Sequence, residues 1–345
     1  MRVKRNNMLA FLFIFAGIYA CKKEMGDSAF EGFQKPSNFP APEYHFETNA
    51  VTQAGFELGR KLFYETKLSH NNTISCGSCH IQTSAFVHPG HSVSHGIYDR
   101  LGKRNSPPIM NLAWSKSFMW DGGIFDLDLQ PLAPIANHVE MDDTISNVLV
   151  KLGKTTAYPT LFQKAFGTPD ITGTRFLKAL AQFMVMCESS HSKYDSVMRN
   201  EGASFTSSEQ AGYVIFQQKC NSCHKEPLFT DHSFRNNGLP PSGLNDEGRY
   251  LVTLNNTDRF KFKVPSLRNI LYTEPYMHDG RYFDLEGVLE YYNSGLQNTP
   301  NLDTLLKQNG RLGIPLTSSD KTNLIAFLKT LSDRSFLLDK RFSEQ

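Results

Sequence analysis

Charge of one sign is the first thing this sequence lacks. Its 345 residues carry 36 Lys and Arg against 34 Asp and Glu, a formal balance of +2. A nucleic-acid partner calls for a basic face, and nothing here suggests one. Long apolar runs are missing as well. The run that stands out, Met8 to Ile18, follows a basic stretch with Arg2, Lys4 and Arg5. It is too short to be read as a spanning helix and reads as a signal peptide over 1–20. Taking that leader away removes three cations and no acid, so the mature chain stands at −1. No region is rich in strand signals, which points away from an all-β fold. Cysteine is scarce too, at six residues, and most of these have other uses.

The leader ends in Ile18-Tyr19-Ala20-Cys21. A small residue directly before a cysteine resembles the bacterial lipobox, so Cys21 is expected to be acylated and to anchor the exported chain to a membrane. Ordinary cleavage nearby, leaving Cys21 as a free thiol, is the other reading. Anchoring by several acyl chains would be stable. Lys22 follows Cys21 where many inner-membrane lipoproteins carry an aspartate, which favours the outer membrane. The expected location is the periplasm.

Four more cysteines fall in two copies of one pattern, Cys76-Gly77-Ser78-Cys79-His80 and Cys220-Asn221-Ser222-Cys223-His224. Cys-x-x-Cys-His reads as a c-type haem attachment site. The two thiols add across the haem vinyl groups, and the adjacent imidazole becomes an axial iron ligand. One copy alone could be half of a zinc site or a redox dithiol. Two copies in an exported chain count against both. Only Cys187 remains. Phe176, Leu180, Phe183 and Cys187 fall on one helical face, so Cys187 is expected to be a buried small hydrophobe, and no disulfide is expected.

Upstream of each Cys pair the chain repeats a short pattern, Gly59-x-x-Leu62-Phe63 and Gly212-x-x-Ile215-Phe216. The second lies in a helix opened by the capping box Thr206-Ser-Ser-Glu209. The repeat implies a mainly α fold of two cytochrome c-type modules, each wrapped on a covalently bound haem c. The expected divisions are a Pro-rich tether over 21–45, a first module over 46–203 and a second over 204–345. Helices are expected over Thr144–Val150, Tyr158–Phe166 and Thr174–Ser190. A closing helix capped by Thr317-Ser-Ser-Asp320 carries Leu324, Ile325, Leu328 and Leu331 on one face.

Several further runs carry chemistry: Ser92-Val-Ser-His95-Gly, Arg104-Asn105-Ser-Pro, Phe118-Met-Trp120-Asp-Gly-Gly, Gln130-Pro-Leu-Ala-Pro-Ile and Val139-Glu140-Met141 in the first half. Pro265-Ser-Leu-Arg-Asn269 and Glu274-Pro-Tyr-Met-His278-Asp-Gly follow in the second. In this order around the two haem motifs they resemble the bacterial di-haem cytochrome c peroxidase family, which includes MauG-type members. The resemblance runs from about Gly55 to Leu331. It implies an enzyme that reduces hydrogen peroxide to water with electrons from an exported donor, such as a small cytochrome c or a cupredoxin. It places the peroxidatic haem on the first motif, with His80 proximal, Glu140 as the proton-moving base, Gln130 as its orienting partner and Trp120 as an electron relay. Asn105, through its side chain, and Thr273 and Pro275, through their carbonyls, match a calcium site completed by water. Family members are often dimers, so a homodimer is expected.

Two positions bear on the sub-type. His95 matches the histidine that caps the peroxidatic iron at rest in many members, and His88 and His91 read as surface residues of the same loop. At the place where such members carry a methionine ligand to the second haem, this chain has Tyr292. That is the MauG-like arrangement, and a phenolate ligand favours ferric iron and lowers the potential. It suits the second haem to sharing an oxidising equivalent through Trp120. Without the resemblance, Glu140 reads as a solvated loop carboxylate, Trp120 as core filler and Tyr292 as a helix core residue beside Tyr291. Two other functions stand beside peroxide reduction. One is a MauG-like oxidation of aromatic side chains in a protein substrate; the other is a di-haem electron carrier without enzymatic activity.

Overall fold

The two Gly-x-x-(Leu/Ile)-Phe repeats lie on helices that cross a partner in the same way. A computed structural model describes residues 30–243, 245–308 and 310–345; the leader and Cys21 lie outside the described residues. In chain order the helices are α1 (Gln53–Phe63), α2 (Cys76–Cys79), α3 (Leu132–Ala136), α4 (Ile145–Gly153), α5 (Ala157–Phe166), α6 (Gly173–Met186), α7 (Lys193–Met198), α8 (Ser207–Lys219), α9 (Tyr250–Thr253), α10 (Leu285–Glu290), α11 (Ser318–Lys329) and α12 (Arg334–Leu337). Helix α1 crosses α6, and α8 crosses α11. At each crossing a glycine lets two backbones approach. A Cβ on Gly59 would lie 1.9 Å from the Ala179 carbonyl oxygen, and one on Gly212 would lie 1.9 Å from that of Asn323. One turn beyond each contact an aromatic pair closes the crossing. Phe63 meets Phe183 at 4.8 Å between ring centroids, and Phe216 meets Phe327 at 5.1 Å. The sequence repeat is therefore a packing repeat.

The caps form as the sequence predicts. Thr206 accepts from the amide of Glu209 while Glu209 reaches back to the amide of Thr206. Thr317 and Asp320 do the same at the start of α11. The helix expected over Thr174–Ser190 stops earlier, at Met186, because Cys187 leaves helical geometry and the next residues find a better partner. Asn111 donates to the Ser189 carbonyl at 3.0 Å and accepts from the Ser189 amide at 2.8 Å. Cys187 is fully buried, as expected of a small hydrophobe.

Among the described residues, strand is confined to two antiparallel pairs. These are β1 (Phe234–Arg235) with β2 (Phe262–Lys263), and β3 (Lys307–Gln308) with β4 (Arg311–Leu312). The fold is mainly α. Among the described residues no helix is long and apolar enough to cross a membrane.

One expectation needs correction. Residues 32–345 pack as one compact unit, so the segment read as a tether is part of the body from Gly32 onward. Its aromatics are the reason. Phe39 is buried, Phe33 stacks on Phe46 at 4.5 Å, and Trp114 Nε1 donates to the Pro40 carbonyl at 2.9 Å. Proline spacing hid these contacts, which have no helical or strand period.

The structure also repeats where the sequence motifs looked unrelated. Met119-Trp120-Asp121-Gly122 and Met277-His278-Asp279-Gly280 take the same turn. Met119 and Met277 both have left-handed φ (69° and 73°), each inside a loop closed by an antiparallel bridge, Phe118 to Ile124 and Tyr276 to Tyr282. Upstream, left-handed Asn111 and Asn269 open the matching 3-10 turns Leu112–Trp114 and Ile270–Tyr272.

Candidate active site

The single turn of α2 puts both thiols of the first motif on one short helix, and His80 follows at its end. His80 Nδ1 lies 2.6 Å from the Phe86 carbonyl oxygen. A carbonyl can only accept, so Nδ1 carries the proton and Nε2 keeps its lone pair. Burial lowers the imidazole's proton affinity and holds it neutral. That is the tautomer and charge an axial ligand needs. Burial pushes the Cys76 thiol up to about 12 and that of Cys79 to about 11, so both are held as neutral thiols here. Among the described residues no group of three or more His, Cys, Asp or Glu is placed to hold a metal ion, and the five cysteines are unpaired. The zinc alternative therefore has no ligand set here. A cavity of about 540 Å³ opens on Cys76, Cys79 and His80, with Phe63, Leu180 and Met184 in its apolar walls. Its volume is that of a cofactor pocket, and these residues fit a covalently held haem.

Glu140, Gln130 and Trp120 line the same cavity. Backbone contacts fix Glu140. Its carbonyl accepts from the Ile97 amide at 2.8 Å, and its amide donates to the Asn137 carbonyl at 2.9 Å. Gly96 permits this approach, because a Cβ there would lie 2.1 Å from the Val139 carbonyl oxygen. Burial raises the Glu140 carboxyl above the usual carboxylate range, and side-chain hydrogen bonds with Asn137 and Ser94 partly offset it. Gln130 Nε2 points at Met119 Sδ, 3.7 Å away. Trp120 Nε1 donates to the Asn105 carbonyl at 2.8 Å, and the Asn105 amide donates to the His278 carbonyl at 2.7 Å. One residue thus ties the two structurally equivalent turns together. Beside them Arg104 holds Asp246 through two bonds (2.6 and 2.8 Å) and Asp121 through a third at 2.6 Å.

His95 takes a different place. Its neighbours Ser94 and Gly96 line the cavity, but its ring does not. Nδ1 lies 2.8 Å from Asp99 Oδ1, and Nε2 lies 3.2 Å from His91 Nδ1. His91 in turn stacks on His88 at 4.2 Å. Burial, with His91 and His95 nearby, lowers His88 to about 4.

The second motif follows α8. His224 Nδ1 is shared between the carbonyl oxygens of Pro265 (3.1 Å) and Phe229 (3.3 Å), again leaving Nε2 for a ligand, and burial keeps the ring neutral. Burial pushes the Cys220 thiol up to about 12. Tyr292 stands on a π-helical turn, Tyr291–Gly295, which follows α10. Burial raises its phenol, Asn237 opposes this, and Cys223 and Cys220 are close enough to act on it. Tyr292 is thus within electrostatic range of the second Cys pair. Asn237 Nδ2 lies 3.5 Å from both the Tyr292 hydroxyl and Met277 Sδ. Met277 shares this pocket. Its signal was the Met-x-Asp-Gly repeat with Met119.

Asn105, Thr273 and Pro275 are all buried. The Asn105 side-chain amide donates to the carbonyls of His91 (3.3 Å) and Ser92 (3.4 Å). Among the described residues none donates to the carbonyls of Thr273 or Pro275.

Comparison with known proteins agrees with this geometry. A family model described as di-haem cytochrome c peroxidase matches residues 53–203. The methylamine utilization protein MauG of Methylorubrum extorquens is 31% identical over 308 residues, which span 87% of this chain and 83% of that protein. Cytochrome c551 peroxidase of Pseudomonas aeruginosa is 29% identical over 310 residues, 86% of this chain and 84% of that one. Among solved structures, a MauG-like protein associated with microbial copper homeostasis superposes with a TM-score of 0.82 at 30% identity. It covers 91% of this chain and 99% of its own.

Proposed function

This chain belongs to the di-haem cytochrome c peroxidase family, and from that premise we propose that it reduces hydrogen peroxide to water, drawing two electrons from an exported carrier such as a small cytochrome c or a cupredoxin. The observation that carries this reading is the single cavity in which Glu140, Gln130 and Trp120 face the Cys76, Cys79 and His80 attachment site. Family membership implies two haem c groups, and the bound haem supplies the redox centre and an open coordination position for peroxide. His80 and His224 would hold the haem irons through their neutral Nε2 atoms. With haem bound, Glu140 would hold the proton taken from peroxide and hand it to the departing oxygen, while the two donor electrons and two further protons complete the reduction of H2O2 to two waters. Its raised proton affinity suits both halves of that transfer. Gln130 orients the peroxide, and Trp120 carries electrons across the wall shared with the Asn105–His278 link.

The proposal extends to the flanking features. Cys21 anchors the exported chain in the periplasm, at the outer membrane, and a homodimer is its assembly. Calcium binds at Asn105, Thr273 and Pro275, a reading supported by their burial and by the two carbonyls without donors among the described residues. Peroxide turnover with a reduced small cytochrome tests the activity. Two covalent haems without turnover, each iron permanently six-coordinate, would leave only the electron carrier.

One observation favours a second reading. Tyr292 is buried within electrostatic range of Cys220 and Cys223, and a phenolate ligand to the second haem would favour oxidised iron. Such a centre suits oxidation of an aromatic side chain in a protein substrate.

A further inference from the structure

Of the basic side chains that line the cavity and that the chemistry above does not use, two come from the β1–β2 region. Lys263, on β2, and His232, just before β1, line the wall that also carries Trp120. Among the described residues Lys263 Nζ has Ser117 O as its one hydrogen-bonded partner, at 2.6 Å, whereas an ammonium offers three donors. His232 Nε2 is buried and has no partner among the described residues. Arg104, in the same wall, contrasts with both, since Asp246 and Asp121 already satisfy its guanidinium. Burial lowers Lys263 to about 8 and His232 to about 4; Asp121 opposes the shift at Lys263, and the Lys263 charge adds to it at His232. A half-buried ammonium with donors to spare calls for an acceptor, and a carboxylate supplies one that His232 Nε2 also satisfies when it carries the ring proton.

We propose that Lys263 and His232 receive the propionate carboxylates of the haem attached through Cys76 and Cys79. The thioether-forming vinyl carbons and the propionates occupy different edges of the porphyrin. Here the thiols come from α2 and the two basic groups from the β1–β2 region, two separate stretches of chain lining one cavity. The Lys263 amide donates to the Trp120 carbonyl at 2.7 Å.

This assignment rests on the haem reading of the first motif. Its test uses the holoprotein and the variants Lys263→Met, Lys263→Arg and His232→Phe, each checked for two covalent haems. Redox titration follows each haem separately, and resonance Raman spectra follow the propionate bending modes. Removing the ammonium disfavours the added electron. In Lys263→Met the first haem should shift about tenfold toward the oxidised form at fixed potential, about 59 mV for one electron, with a moved propionate mode. Lys263→Arg should restore both, and His232→Phe should move the mode. Unchanged potential and mode in Lys263→Met with full haem content would overturn the proposal. So would a shift confined to the second haem, which would assign the carboxylates to that group. A wild-type chain without covalent haem would instead overturn the di-haem reading itself.

Discussion

Glu140 is useful as a base only while it is ionised, and its surroundings pull in two directions. Burial raises its proton affinity, and the side chains of Asn137 and Ser94 favour the charged form. As pH falls through that raised value the base is lost. The acid limb of kcat/KM for peroxide should therefore lie above the ordinary Glu value of about 4.3. Asn137→Ala removes a bond to the ionised form and should move the limb to higher pH; a limb that moves down would contradict this role. Glu140→Gln should lower turnover by about 10²–10⁴-fold with both haems still attached. At the second haem, Tyr292 and Met277 share the Asn237 amide, and substitution separates them. Tyr292→Phe should change the second haem's spectrum and raise its potential, whereas Met277→Leu should leave the axial ligation as it is. An unchanged spectrum in Tyr292→Phe would remove the phenol from the coordination shell.

The helices carry a second kind of information. Gly59 and Gly212 stand at backbone-to-backbone crossings where a methyl group has no room. Gly59→Ala and Gly212→Ala should each cost about 1–3 kcal/mol in urea unfolding through overpacking. Gly153, at the end of α4, faces no atom within 4 Å, so Gly153→Ala should be neutral or slightly stabilising. Equal effects at all three sites would mean that the crossings are not the constraint. The π-helical turn matters in another way. The additional residue per turn at Tyr291–Gly295 sets the direction in which Tyr292 leaves the backbone, and no periodicity in the sequence announced it. The expected helices of the first half were found within a few residues. The end of α6 was missed because the competing partner, Asn111, lies far away in the chain.

Across the whole molecule a buried ion pair joins parts that the sequence kept apart. Arg268 and Asp195 are both fully buried and meet through two bonds of 2.8 Å. Asp195 also accepts from Ser192 and from Asn38, and Arg268 lies over the Phe39 ring at 4.6 Å. Burial alone would raise the Asp195 carboxyl, but the Arg268 bonds and charge outweigh it and hold it below its usual range. The pair's stabilisation is therefore complete above the unfolded carboxylate value of about 3.9 and is lost as pH falls through the lower folded value. Asp195→Ala should cost about 3–5 kcal/mol at neutral pH, because it leaves the guanidinium buried without its counter-charge. The loss should shrink in acid, as stability curves against pH would show. The motif Pro265-Ser-Leu-Arg-Asn269 read as chemistry; its arginine turns out to lock the first and second halves and the segment before α1 together. What the sequence alone determined was local. Cysteine spacing marked the two Cys-x-x-Cys-His runs, caps and glycine repeats fixed the helices, and a few short runs identified the family, because each depends on neighbours within a turn or two. What only the tertiary structure decided was convergence. It gathered Glu140, Gln130, Trp120, Lys263 and His232 on one cavity, turned the His95 ring out of it and brought Tyr292 and Met277 to a shared amide. Those relations depend on backbone paths that close over long stretches of chain, where no local pattern records the distance.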